Sequence, residues 1–163
     1  RQERSYLLPH LRRLDRVFAS RPVYFITTCT QQRRAILAGE TVVAVLREEW
    51  AKAHDLHGWL VGRYVVMPDH VHFFCAEAPR AGVKPLPEFI KRWKEWTAKR
   101  LIALTGCSPP VWQKQFFDHI LRHDESYADK WSYVMENPVR AGLVAEARDW
   151  PWQGFVHFDS PLG

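Results

Sequence analysis

The stretch Tyr64-Val65-Val66-Met67-Pro68-Asp69-His70-Val71-His72-Phe73-Phe74 sets two imidazoles one residue apart. Side chains on a strand alternate between faces, so His70 and His72 point the same way and can grip one metal ion, while Val71 and Phe73 face the other side. Spacing alone leaves a second reading open, in which two polar residues decorate the solvent face of a strand. A further group lies in the segment from Asp124 to Pro138. On a helical wheel of about 100° per residue, Tyr127, Trp131, Val134 and Pro138 form an apolar stripe. Lys130, Tyr133 and Asn137 cluster about a quarter turn away, with Tyr133 and Asn137 at i,i+4 spacing. A lysine, a phenol and an amide therefore share one polar flank, which taken by itself reads as a solvent-facing surface.

The elements that must position these groups follow from periodicity. Val23 to Thr30 is β-branched and aromatic and predicts a first strand. Apolar residues at 42, 45, 46, 50 and 53 have helical spacing and are followed by Gly58 as a stop. Trp59 to Met67 predicts a second strand, Pro68-Asp69 a tight connection, and His70 to Ala76 a third strand paired with the second. A loop with Pro79, Gly82, Pro85 and Pro87 leads into a helix from about Glu88 to Leu104, ended by Gly106. Val111 to Leu121 contains a fourth strand, and Asp124 opens a further helix as its N-cap. Strand, helix, strand, strand, helix, strand is the split β-α-β order of an α+β, ferredoxin-like antiparallel sheet, with one additional C-terminal helix that carries Tyr133. Helices are expected on one face, leaving the other free for a ligand.

A chain of 163 residues suits a single domain, here residues 1–163 with a basic arm over 1–21 and a tail over 150–163. The 47% hydrophobic and 13% aromatic content argues for a folded core, and no apolar run is long enough to span a bilayer. No charged stub followed by an apolar signal segment is evident, so a cytoplasmic location is expected. Cys29, Cys75 and Cys107 are odd in number and unpaired in spacing, which argues against a disulfide framework and against a cysteine-bound zinc. The net charge of +5 and the isoelectric point near 9.3 favour an anionic partner. Six of the cations are arginines in the arm, at positions 1, 4, 12, 13, 16 and 21.

Four pieces in order resemble the REP-associated tyrosine transposases, bacterial relatives of the single-tyrosine HUH transposases. They are Met67-Pro68-Asp69-His70-Val71-His72; Trp112-Gln113 with Phe117-Asp118-His119; Tyr133-Val134-Met135-Glu136-Asn137-Pro138-Val139-Arg140-Ala141-Gly142-Leu143-Val144; and Trp150-Pro151-Trp152. The resemblance runs from about Val23 to Phe155. It implies a metal-dependent nuclease and strand transferase for single-stranded DNA, often at short palindromic hairpins, working through a 5′-phosphotyrosine. By motif position it makes His70 and His72 metal ligands, Tyr133 the nucleophile, and Asn137 the third ligand, at a place where many relatives carry glutamine.

Two nitrogens and an amide oxygen suit Mg2+ or Mn2+ better than zinc. Candidate DNA contacts are Lys130, the arm residues Arg12, Arg13 and Arg16, and Lys91 and Arg92, which are interleaved with Trp93 and Trp96. Monomer and homodimer both remain open. Alternatives are another HUH nuclease of the replication-initiator or relaxase type, a catalytically inactive nucleic-acid-binding module of the same fold, and a zinc hydrolase. The last is weakened because no acidic general base stands at a recognisable spacing from the histidines.

Overall fold

The structure is a computed structural model and describes residues 22–121 and 124–160. The arm positions Arg12, Arg13 and Arg16 lie outside the described residues. Strand β1 is Val23–Cys29; helix α1 is Glu40–Ala51 and a short α2 is Ala53–His57. The hairpin strands β2 and β3 are Trp59–Val66 and His70–Glu77. Helix α3 is Leu86–Thr105, β4 is Phe117–Leu121, α4 is Asp124–Met135, α5 is the single turn Asn137–Arg140, and β5 is Gln153–Phe155. Gly58 and Gly106 end α2 and α3 in the left-handed region, at φ 78° and 70°, where a side chain is disfavoured.

The sheet runs β4-β1-β3-β2-β5, and every neighbouring pair is antiparallel. The first four strands have the ferredoxin-like arrangement the element order predicts. The fifth was not foreseen: part of the 150–163 tail pairs with β2, matching Arg63 with Phe155 and Val65 with Gln153.

Alternation on β3 sorts its side chains into two cores. Val71, Phe73 and Cys75 face α1 and α3, packing with Leu46, Trp50, Phe89, Ile90 and Trp93. The Trp50 and Trp93 rings stack with centroids 5.0 Å apart. Cys29 and Cys75 are buried and all three cysteines are free thiols. Phe74 and Ala76 face the opposite way, joining Phe25, Val65, Tyr127, Val134, Trp150 and Phe158. The second face is therefore not left open, as the element order suggested. Helix α4 and the C-terminal segment cover most of it, because the Tyr127, Trp131, Val134 stripe needs an apolar partner.

Strand β2 lies between both cores, and a register shift between Val61 and Tyr64 swaps its alternation, so that Trp59 and Val61 before it and Tyr64 and Val66 after it face the first core. Gly62 sits at that shift because Phe158 presses on it. A Cβ there would lie 2.4 Å from a Phe158 ring carbon.

Candidate active site

The loop before β3 is fixed on three sides. Met67 N–H donates to the His70 carbonyl at 2.8 Å, Leu37 N–H to the Pro68 carbonyl at 2.9 Å, and Thr30 N–H to the Asp69 carbonyl at 2.9 Å. The Trp112-Gln113 pair of the second motif anchors the same corner. Trp112 is buried and donates its indole N–H to Thr97 Oγ1 at 3.0 Å, while Gln113 N–H bonds the Cys29 carbonyl at 2.9 Å and its side-chain amide the Thr30 carbonyl at 3.2 Å. Trp150 of the last motif bonds the Val66 carbonyl at 3.0 Å. Trp112, Gln113 and Trp150 thus clamp the hairpin.

His70 and His72 emerge on the same face, with ring centroids 4.8 Å apart and planes at 80°. Each has its Nδ1 occupied. His70 Nδ1 lies 2.7 Å from Asp69 Oδ1, and His72 Nδ1 lies 2.8 Å from Thr27 Oγ1. When Nδ1 carries the hydrogen in these bonds, the Nε2 lone pairs are left for a ligand, as ligating histidines require. No partner for either Nε2 is found among the described residues.

Arg33 completes this shell. Its Nε donates to Asp69 Oδ2 at 2.9 Å and a terminal nitrogen to Cys29 Sγ at 2.9 Å. Burial pushes the Asp69 carboxyl up, but hydrogen bonds from His70 and Arg33 outweigh it and hold the group below its ordinary range. Gln32 and Arg33 both occupy the left-handed region, at φ 58° and 53°. That conformation costs of the order of 1 kcal/mol or more per non-glycine residue, and here it aims the guanidinium at Asp69.

The tyrosine flank lies on the histidine side. Phe25 stacks on His72 with centroids 5.3 Å apart, and Lys130 Nζ sits 4.6 Å from the same Phe25 ring and 5.9 Å from the Tyr133 ring. The guanidinium of Arg140 lies 4.1 Å from the Tyr133 centroid and donates to Asn137 Oδ1 at 2.6 Å. Burial pulls the His72 pKa down to about 3, reinforced by His70, Lys130, Arg140 and Arg33. The imidazole is thus neutral, the form that binds a metal, throughout the physiological range. Tyr133 itself is 63% exposed, unlike Tyr127, which is buried against Phe74 as the helical stripe predicts.

One expectation needs revision. Asn137 does not continue the tyrosine helix: α4 stops at Met135, Glu136 makes the turn in right-handed helical geometry, and Asn137 opens α5, since Pro138 has no N–H to donate back into the helix. Lys91 and Arg92 sit on α3, the layer that packs against Val71 and Phe73, so the sheet separates them from the histidines. Arg92 lies within 3.6 Å of Glu95.

Two same-face imidazoles with engaged Nδ1 atoms are donors that suit a divalent ion, and the Asn137 amide oxygen, bonded to Arg140, lies on the turn after the tyrosine helix. No group of three or more His, Cys, Asp or Glu residues that could hold a metal occurs among the described residues. Thr27, Arg33 and Arg140 escaped the sequence reading. Arg140 stood within the quoted motif, but Thr27 and Arg33 are distant in sequence and carried no signal.

The model of the family described as "Transposase IS200 like" matches residues 19–136. A REP-associated tyrosine transposase of Escherichia coli K12 is 30% identical over 144 residues, covering 86% of this chain and 79% of that protein. The solved structure of a REP-associated tyrosine transposase bound to a REP hairpin superposes with a TM-score of 0.66 at 25% identity, covering 81% of this chain and 75% of that one. A crystal structure of a protein from Deinococcus radiodurans R1 shares the fold at TM-score 0.53 and 18% identity, over 82% of this chain and 95% of that one. The chain belongs to the IS200-like transposase family, in its REP-associated tyrosine branch. No helix among the described residues is long and apolar enough to cross a membrane.

Proposed function

We propose that this transposase cuts and rejoins single-stranded DNA at palindromic repeat hairpins through a covalent phosphotyrosine on Tyr133, using Mg2+ or Mn2+ held by His70, His72 and Asn137. The observation that carries this reading is the sharing of one sheet face by the paired imidazoles, their Nδ1 atoms engaged, and the exposed phenol, linked through Phe25 and Lys130. The hairpin bound by the solved relative and the basic charge of this chain support the choice of substrate.

A bound divalent ion supplies Lewis-acid polarisation of a phosphodiester oxygen. The protein's own groups do the remainder. Asp69 and Thr27 hold the imidazoles in one orientation, and Arg33 holds Asp69. Tyr133 presents its oxygen to the phosphorus. As the tyrosyl O–P bond forms, the P–O3′ bond breaks; the phenol gives up its proton and the departing 3′ oxygen takes one up. One phosphodiester replaces another, so the join is reversible without ATP, and a new 3′ hydroxyl can reverse the step.

The test is incubation of hairpin oligonucleotides bearing single-stranded flanks with the protein and Mn2+, followed by a denaturing gel for the protein–DNA adduct. Tyr133→Phe is expected to reduce the adduct to background, and His72→Ala to lose adduct and Mn2+ binding together. An undiminished adduct from Tyr133→Phe removes the assignment. Binding without cleavage by the unaltered protein favours the binding-module alternative.

A further inference from the structure

Among the described residues Arg140, like Arg34, Arg47 and Arg80, pairs with no carboxylate, but unlike them it lies on the exposed Tyr133 ring. Arg33, Arg63, Arg92, Arg100 and Arg148 each have a carboxylate partner, at Asp69, Asp159, Glu95, Glu48 and Glu146. No ion pair to Arg140 is present among the described residues. Its guanidinium lies on the Tyr133 ring at 4.1 Å instead, with one N–H given to Asn137 Oδ1. A guanidinium has five N–H donors in a planar fork suited to phosphate, so this bond leaves most of them available. Lys130, the other cation beside the Tyr133 ring, likewise has no carboxylate partner among the described residues. Two cations without carboxylate partners beside one exposed phenol form a seat for an anion.

We propose that Arg140 is a phosphate ligand of the reaction centre. Stacked on the Tyr133 ring, it contacts a non-bridging oxygen of the phosphodiester that Tyr133 attacks, and Lys130 adds charge at the same place. This rests on the tyrosine reading above and deepens it. A guanidinium held by the ring and by the neighbouring amide is already oriented, so binding the phosphate orders no additional side chain. The arrangement also couples the seat to the turn: the residue that reads the phosphate holds the amide offered as the third metal ligand.

The test separates phosphate contact from support of Asn137. In a Tyr133→Phe background, which binds without reacting, the affinity for a fluorescein-labelled hairpin with a single-stranded flank is measured over a series of KCl concentrations. Adding Arg140→Gln is expected to weaken binding several-fold and to make the log–log salt slope shallower by about 0.7, the contribution of one single-strand phosphate contact. Mn2+ affinity, read separately by paramagnetic relaxation, is expected to stay the same. Arg140→Lys keeps the charge and is expected to keep the slope, while slowing adduct formation when Tyr133 is present because the planar fork is lost.

An unchanged slope for Arg140→Gln overturns the proposal, and a simultaneous drop in Mn2+ affinity assigns the residue to Asn137 instead. If the slope changes as expected but the Tyr133 protein forms no adduct, the phosphate contact stands and the covalent reading fails. A Tyr133→Phe protein that binds no oligonucleotide at any salt overturns both.

Discussion

Thr27 and His72 are direct partners across the β1–β3 ladder, and the Thr27 hydroxyl meets His72 Nδ1 at 2.8 Å. Outer contacts of this kind fix the orientation of a ligating imidazole and usually change metal affinity by about 10- to 100-fold when removed. Thr27→Val preserves the β-branched shape and deletes the hydroxyl. Mn2+ affinity is expected to fall by about tenfold with little change in the melting curve; titration by electron paramagnetic resonance reads it. Unaltered affinity shows that the hydroxyl does not orient the ring.

The Asp69 carboxylate joins His70 to Arg33. Asp69→Asn keeps its size and removes the charge that pairs with Arg33 at 2.9 Å. The amide can meet His70 Nδ1 as donor or acceptor, so the ring loses its preference for one tautomer. Nitrogen-15 spectra of labelled histidine should then show a mixed His70 tautomer, with slower adduct formation. A His70 spectrum identical to that of the parent sinks this account.

Gly62→Ala tests the seam between β2 and the C-terminal segment. The new Cβ meets Phe158 ring carbons at 2.4 and 2.6 Å, and Phe158 is fully packed in the second core. Overpacking of this sort costs typically about 1–3 kcal/mol, read from urea denaturation. Phe158→Leu in the same chain should recover part of the loss by shortening the opposing group; a neutral Gly62→Ala shows that the seam is loose.

Burial lowers the pKa of His57 and His157 relative to exposed imidazole. The unfolded chain therefore takes up protons at about pH 6.5 while the folded chain does not. The stability of these neutral rings is complete above 6.5 and is lost as pH falls below it, by up to ~1.4 kcal/mol per pH unit for each ring. Urea midpoints measured from pH 7.5 downward should decline below about 6.5. His157→Gln, whose side chain can still accept from the Val61 N–H that now bonds His157 Nδ1 at 2.9 Å, should flatten the decline. A midpoint that is level across this range contradicts the sign.

What the sequence disclosed was local. Alternation around Val71 and Phe73 placed the histidines correctly on one face, and the 127, 131, 134 stripe separated the buried Tyr127 from the exposed Tyr133. What it concealed depended on distant partners. Strand β5 is three residues among prolines and tryptophans, and its pairing is set by Arg63 and Val65 of β2. Arg33 comes long before His70 in the chain, and only the left-handed turn at Gln32 brings its guanidinium to Asp69. The break before Asn137 was visible as Pro138, yet continuous helical spacing concealed it. The covered second face was readable only in hindsight, because an apolar stripe says that something must bury it and not what.

The histidines belong to the middle strand of five, hydrogen-bonded along both edges, whereas Tyr133 rides on a helix at the periphery and Asn137 on a detached turn. The machine therefore has a bench and a tool arm. Amides of β3 should be among the last to exchange with deuterated solvent and those at the end of α4 among the early ones. Changes in the arm and its turn can then leave the bench as it is.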